Sequence, residues 1–129
     1  MTRKKEREQA FCLIFEKCFR DDDCDCIISS AEAIRDFEIT DYISSTFIGV
    51  YEHLSEIDSI ISSCLEKWTI ERLPKTNLAL LRLAIYEMKY NDDIPVCVTI
   101  NEIVELSKKY ADEKDAAFIN GVLGTVSRA

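Results

Sequence analysis

This chain has few of the residues that interrupt helices or build catalytic sites. Its 129 residues include three glycines, two prolines and one histidine. With a single histidine, His53, and neither a glycine-rich phosphate loop nor an H-E-x-x-H pair, the sequence contains no recognisable catalytic constellation. No apolar run approaches the roughly 18 residues of a membrane span. We therefore expect neither an enzyme nor a membrane protein.

The cysteines and the N-terminal segment indicate a reducing compartment. The N-terminal stretch is basic but lacks the apolar segment of a signal peptide, so we expect a cytoplasmic protein with reduced thiols. No two cysteines form a C-x-x-C pair, and the spacings do not fit a metal site, so we expect no metal and no other cofactor. The six cysteines are Cys12, Cys18, Cys24, Cys26, Cys64 and Cys97.

The charge of the chain is unevenly distributed. The net charge is −8, which argues against nucleic acid as a partner. Residues 1–7, however, contain Arg3, Lys4, Lys5 and Arg7 against one carboxylate, a local charge of +3 that leaves −11 for the rest. Cations at a helix start oppose the helix dipole, which favours an anionic partner. A solubilising, frayed terminus is the alternative.

Apolar residues recur at helical spacing along the chain, and no segment alternates with the period of a strand. This pattern predicts an all-α fold of about seven helices in one domain, residues 1–129. The fifth helix is apolar on several faces, so we expect it to be the central one. The predicted helices cover residues 4–19 and 31–37, then run from a cap at Thr40 or Asp41 to 54, over 55–68 and 76–90, from Pro95 to 110, and from a cap at Asp115 to 126.

Local patterns add details to these helices. The aspartate-rich residues 21–25 have low helix propensity, which predicts a loop there. Ile34 and Phe37 are expected to face inward from the second helix. Ser55–Asp58 resembles a capping box for the fourth helix, whose apolar stripe extends to Trp68.

Several polar residues and glycines lie inside predicted helices. Arg82 is expected to pair with a carboxylate of another helix, with Glu102 as a candidate. Gly49, Gly121 and Gly124 each cost about 1 kcal/mol relative to alanine, which close approach of two helices would explain. For Gly121 and Gly124, exposure of the backbone to a ligand is the alternative.

Two phenylalanines are candidates for contact with single-stranded bases. Phe15 lies two turns beyond Arg7 on the first helix, and Phe118 lies in the seventh. Stacking of bases on such rings is common in RNA recognition, although aromatic residues at helical spacing are more often part of the core. Arg7 itself lies on the predicted water-facing side of its helix.

Four segments together resemble the NusB family over nearly the whole chain. The resemblance implies two small helical bundles without catalysis. It also implies binding of the boxA element of ribosomal RNA together with the ribosomal protein NusE. That pair would join the RNA polymerase elongation complex with other Nus factors and suppress premature termination. The segments are Arg3-Lys4-x-x-Arg7-x-x-Ala10, Leu81–Glu87 (LRLAIYE), Ile94–Tyr110 and Phe118–Leu123 (FINGVL).

The resemblance also implies roles for individual residues. Asn77 and Glu87 are expected on the surface that contacts the protein partner. The chain departs from the family pattern where Phe15 replaces a common tyrosine, where Asn77 and Gly124 replace acidic residues, and where Lys5-Glu6 interrupts the arginine cluster. The expected RNA-binding residues are Arg3, Lys4, Lys5, Arg7, Phe15 and Phe118.

Two other functions remain open at this stage. A protein-only helical adaptor would use the basic start of the chain only for solubility. NusB-like domains also occur fused to RNA methyltransferases, where they help to position RNA. This chain has no strand-alternating, glycine-rich segment for S-adenosylmethionine, so it is not that enzyme by itself. Salt-dependent RNA binding would separate the first alternative from the antitermination function.

Overall fold

The computed structural model describes residues 1–34 and 38–129. In these two segments the chain forms seven α-helices, one short 3₁₀ turn at Ile70–Arg72 and no strand, which confirms the all-α prediction. No helix in the same segments is long and apolar enough to cross a membrane. The helices are α1 (Arg3–Lys17), α2 (Cys24–Ile34), α3 (Asp41–Glu52), α4 (Leu54–Ser63), α5 (Lys75–Tyr90), α6 (Val96–Tyr110) and α7 (Glu113–Arg128).

Helix α5 is the centre of the fold, as its apolar faces predict. It contacts α1 and α3 on one side and α4, α6 and α7 on the others. Helices α1, α2 and α3 pack together, while α6 and α7 pack on each other and on α5, so two helical groups share one continuous hydrophobic core. Leu81 and Ile85 in α5 are fully buried. Polar groups on α5 must therefore find partners inside the protein or in a cavity.

The helix caps agree with the sequence in one case and shift in another. The Thr40 hydroxyl accepts a hydrogen bond from the Ile43 amide at 3.3 Å and caps α3, as predicted. Helix α7 is capped by Asp112 and not by Asp115. Asp115 is the third helical residue: its amide donates to Asp112 Oδ1 at 2.9 Å, and its carboxylate accepts from the Asp112 amide at 3.4 Å. This capping box satisfies two amides that have no partner within the helix.

Helix α2 begins inside the segment that was predicted to be a loop. Asp23 Oδ1 accepts a hydrogen bond from the Cys26 amide at 2.8 Å, so the aspartates start the helix at Cys24. Carboxylates are favourable at a helix N-terminus, and this position outweighs their low propensity for helix interiors. Ile34 is 83% exposed, so the prediction that it faces inward is wrong. Phe37 lies outside the described residues.

Helices α1 and α4 are shorter than predicted. Helix α1 ends at Lys17, which leaves Phe19 outside it and 65% exposed. The predicted capping box at Ser55 is wrong, because His53 closes α3 and already begins α4 without a side-chain hydrogen bond. Helix α4 then ends at Ser63, so Trp68 lies beyond it and is 58% exposed.

Two expectations about packing inside the helices have different outcomes. Arg82 pairs with Asp58 of α4 and not with Glu102; its Nε and Nη2 lie 3.0 and 2.9 Å from the two carboxylate oxygens. Gly49 confirms the expectation of close helix approach, because a Cβ there would lie 2.3 Å from the Tyr86 hydroxyl of α5. A Cβ added at Gly121 would meet nothing within 4 Å, so close packing does not explain that glycine.

Candidate nucleic-acid interface

The exposed cations of the basic segment lie on the first turn of α1. Thr2 caps this turn by accepting a hydrogen bond from the Lys5 amide at 3.2 Å. The Arg3 guanidinium lies 4.2 Å from the centre of the Tyr42 ring of α3, and its Nε lies 3.4 Å from the Glu6 carboxylate. The side chains of Arg3 and Lys4 are 50% and 68% exposed, and Lys5 is exposed as well. These three cations are therefore accessible to an anionic ligand.

Arg7 is placed differently from the other cations. Its side chain is only 3% exposed, and its Nη2 and Nε donate to the two carboxylate oxygens of Glu87 at 2.9 and 3.1 Å. Burial lowers the pKa of this guanidinium, but the hydrogen bond and charge of Glu87 outweigh it and hold the pKa above its ordinary value. The expectations that Arg7 faces water and contacts RNA do not agree with this burial. Arg7 instead anchors α1 to α5.

Glu87 is the centre of a buried polar network. Besides Arg7 of α1, it accepts hydrogen bonds from the Tyr42 hydroxyl of α3 at 2.5 Å and the Thr99 hydroxyl of α6 at 2.6 Å. Burial, followed by the Glu87 charge, raises the pKa of Tyr42 well above its usual value. Glu87 is 1% exposed, so its carboxylate does not lie on a surface that a protein partner can contact. The network joins four helices and has a structural role.

Asn77, at the other end of α5, is also buried, with 2% of its surface exposed. Its Nδ2 donates to Asp115 Oδ1 at 2.9 Å, whereas its carbonyl Oδ1 has no hydrogen-bond partner among the described residues. A buried carbonyl without a partner costs roughly 1–3 kcal/mol. This carbonyl oxygen is itself shielded from solvent, although Asn77 is among the residues that line a cavity.

That cavity has a volume of about 300 Å³ and lies between α5, α7 and the segment after α4. The exposed Trp68 ring lies beside the half-buried ring of Phe118 and the exposed cation Arg72. Aromatic faces next to a guanidinium are the usual platform for unpaired bases. The lining residues are Trp68, Arg72, Leu73, Pro74, Asn77, Asp115 and Phe118.

A groove of about 400 Å³ also brings Trp68 and Phe118 together. Gly121 forms part of its wall, so the α7 backbone is accessible there without a side chain over it. The sequence predicts Phe118 as a site residue but does not predict Trp68 or Arg72. No signal in the sequence marks them, because Trp68 fits the apolar spacing of α4 and becomes exposed only because that helix ends five residues earlier.

Phe15 belongs to a separate row of aromatic rings along α1. Its ring centre lies 6.0 Å from that of Phe11 and 5.1 Å from that of Phe19, with Phe19 edge-on. These rings, together with Tyr110 of α6, line an open depression of about 570 Å³. Phe15 is therefore half-buried, as part of a surface depression, and the structure places it apart from the cavity at Phe118.

The described residues provide no metal centre. Within residues 1–34 and 38–129, no three side chains of histidine, cysteine, aspartate or glutamate are grouped so that they could hold a metal ion. The candidate binding groups are the exposed cations at the start of α1 and the rings of Trp68 and Phe118 in the cavity. These groups suit the non-covalent binding of an anionic, aromatic polymer.

A helical fold with a basic helix start and aromatic-lined cavities is typical of binding proteins, and comparison with known families makes this class specific. The model of the NusB family matches residues 4–128. A transcription antitermination protein NusB from Clostridium botulinum (strain Alaska E43) is 43% identical over 131 residues, covering 98% of this chain and 98% of the relative. This chain belongs to the NusB family.

Solved structures agree with this membership. NusB of T. maritima superimposes with a TM-score of 0.86 at 34% identity, covering 99% of this chain and 92% of that one. A structure of the antitermination factors NusB and NusE in complex with double-stranded RNA contains a chain with a TM-score of 0.84 and 29% identity, with coverage of 99% and 98%. The resemblance inferred from the sequence is thus confirmed. The family is one of antitermination proteins, in agreement with the expectation of a non-catalytic protein.

Proposed function

We propose that this protein is a cytoplasmic transcription antitermination factor that binds boxA-type RNA together with the ribosomal protein NusE. Residues 1–129 act as one RNA-binding unit, and the complex joins the RNA polymerase elongation complex with other Nus factors. Family membership supports this proposal, as does the similar chain that was solved with NusE and RNA. The observation that carries it in this chain is the presence of both exposed cations at the start of α1 and a cavity lined by the rings of Trp68 and Phe118.

The RNA contacts divide into two kinds. Arg3, Lys4 and Lys5 neutralise phosphates, because they are the exposed cations of the first turn. Phe118 and the exposed Trp68 stack on unpaired bases. Arg7 is left out of the direct contacts because its guanidinium is held by Glu87.

Phe15, Asn77 and Glu87 contribute to the partner surface in different ways. Phe15, in the depression on α1, borders the surface where RNA and NusE meet. Asn77 contributes through the cavity that it lines, and Glu87 contributes only by fixing the helices. An acidic body repels RNA, so a basic ribosomal protein supplies positive surface that this chain lacks.

The decisive experiment measures binding to a single-stranded boxA-type RNA at several salt concentrations, with and without NusE. We expect weak binding alone and a marked gain with NusE. Replacing Arg3, Lys4 and Lys5 together with alanine should flatten the salt dependence by about 2 units, since each phosphate contact on single-stranded RNA contributes about 0.7.

A matched control removes the same charge elsewhere. Lys89, Lys108 and Arg128 are exposed and do not line the aromatic cavity. Their triple alanine variant should keep most of the salt dependence. Equal effects of the two triple variants would reject the assignment to α1. Binding of NusE without any binding of RNA would instead support a protein-only adaptor.

A further inference from the structure

Three of the four cations at the start of α1, namely Arg3, Lys4 and Arg7, have a carboxylate oxygen within 4.0 Å in the folded protein. Glu6 Oε1 lies 3.4 Å from Arg3 Nε on the same helix, and the Nε–Nη2 edge of the Arg7 guanidinium is held by Glu87. The local charge of +3 in the sequence is therefore largely compensated by side chains that the fold brings to it. Lys4 is compensated by a helix that is remote in sequence.

That compensation comes from Glu102 on α6. Its Oε2 lies 3.9 Å from Lys4 Nζ and 4.0 Å from Arg7 Nη1. Glu102 is thus a second, more distant carboxylate for Arg7, which already makes two hydrogen bonds to Glu87, and it pairs with Lys4 at the same time. The Glu102 side chain is 25% exposed and its neighbour Ile103 is fully buried, so the packing of α6 fixes its backbone beside α1.

The ion pair between Lys4 and Glu102 is weak enough for another anion to replace the carboxylate. A separation of 3.9 Å is longer than a hydrogen bond, and the Lys4 side chain is 68% exposed. Exposed ion pairs of this kind contribute roughly 0.2–1 kcal/mol. A phosphate can therefore replace the carboxylate at Lys4, but Glu102 remains nearby and repels it.

We propose that Glu102 competes with RNA phosphate for Lys4 and so limits the affinity of the α1 start for any RNA. This inference rests on the proposed RNA-binding function. Glu102 is an affinity-setting residue: it keeps the phosphate contacts weak, so tight binding requires base contacts and the partner protein as well. The competition acts on phosphate, which makes it independent of RNA sequence.

The test is Glu102→Gln, a substitution of nearly the same shape, measured in the presence of NusE. We expect about two- to fivefold tighter binding at low salt, from the magnitude of an exposed ion pair. The gain should be the same factor for a boxA-type RNA and for a scrambled RNA of equal length. It should shrink as salt is added.

Two controls separate a specific competition from a general change in charge. Glu105→Gln removes the same charge from the same helix, but Glu105 is 51% exposed and lies 3.4 Å from Lys108. Its gain should be clearly smaller. In a Lys4→Gln background the gain from Glu102→Gln should disappear, because the contested cation is absent.

The outcomes distinguish this inference from the proposed function. RNA binding that Glu102→Gln leaves unchanged would overturn the inference and leave the proposed function standing. Equal gains from Glu102→Gln and Glu105→Gln, or a gain that persists without Lys4, would also overturn it. Absence of RNA binding by the unmodified protein with NusE would overturn both.

Discussion

The two ends of helix α5 carry polar side chains that are equally buried but differently satisfied. At one end, Glu87 accepts four hydrogen bonds from three other helices. At the other, Asn77 donates one to Asp115 and leaves its carbonyl oxygen without a partner among the described residues, beside a cavity of about 300 Å³. The end at Glu87 stabilises the fold, whereas the end at Asn77 carries a buried carbonyl without a partner next to a cavity.

The glycines follow the same division. Gly49 sits against Tyr86, next to Glu87, where there is no room for a side chain. Gly121 lies in the groove with Trp68 and Phe118 and faces open space. A buried polar group therefore indicates function only where it lacks a hydrogen-bond partner, and a helical glycine only where no packing contact requires it.

Glu87→Ala should have the largest effect of the substitutions that test this comparison. It removes both hydrogen bonds and the nearest counter-charge of the buried Arg7 guanidinium and leaves it the more distant Glu102, 4.0 Å from Nη1. Removing one partner of a buried ion pair typically costs about 3–5 kcal/mol. Asn77→Ala should cost about 1 kcal/mol, since only one hydrogen bond is lost. Chemical denaturation of both variants measures the difference. Similar losses at the two positions would show that the ends of α5 are not energetically distinct.

Gly49→Ala should destabilise the protein by about 1–3 kcal/mol. The added Cβ would lie 2.3 Å from the Tyr86 hydroxyl, so the ring must move. A Gly49→Ala, Tyr86→Ala double variant supplies the control, because removing the ring should remove most of the clash. Thermal unfolding is the measurement, and an unchanged melting temperature in the single variant would contradict the close approach.

Gly121→Ala, in contrast to Gly49→Ala, should stabilise the protein. Alanine favours a helix over glycine by roughly 0.8–1 kcal/mol, and the new Cβ meets nothing within 4 Å. We expect a more stable protein that binds RNA more weakly, because the methyl group narrows the groove beside Trp68. Unfolding and RNA titration of the same sample test both parts. A stabilised variant with unaltered RNA binding would remove this groove from the interface.

The smallest expected effect is a change in the pH dependence of stability. Because the pKa of Tyr42 is raised by burial and by Glu87, the folded state favours the neutral phenol. That contribution is present below the ordinary tyrosine pKa of 10.0 and is lost as the pH rises toward the folded pKa. Melting temperature should fall above about pH 10, and less steeply for Tyr42→Phe. Parallel slopes would contradict this role.

Much of the fold follows from periodicity in the sequence. The apolar faces of α5 predict its central position, because a helix that is apolar on several sides needs neighbours on all of them. Thr40 predicts the start of α3 through a hydrogen bond that is local in sequence. The sequence does not predict helix ends that lack such local signals. For example, nothing in the apolar spacing of α4 marks the end of that helix at Ser63.

The candidate site was predicted in part. Arg3, Lys4, Lys5 and Phe118 are accessible to a ligand, whereas the sequence assigned Arg7 and Glu87 to binding surfaces although they are buried against each other. Eighty positions separate these two residues in the chain. Their pairing depends on how α1 crosses α5, and no local pattern encodes that crossing.

Helical period and the four family segments are properties of sequence order, so they are enough to predict an all-α member of the NusB family with a basic start to its first helix. How much of that basic charge is free depends on tertiary packing. Packing of α1 against α5 and α6 brings Glu87 to Arg7 and Glu102 to Lys4. Charges distant in sequence interact only once the fold places them within a few ångströms, since the interaction weakens with distance and with solvent screening.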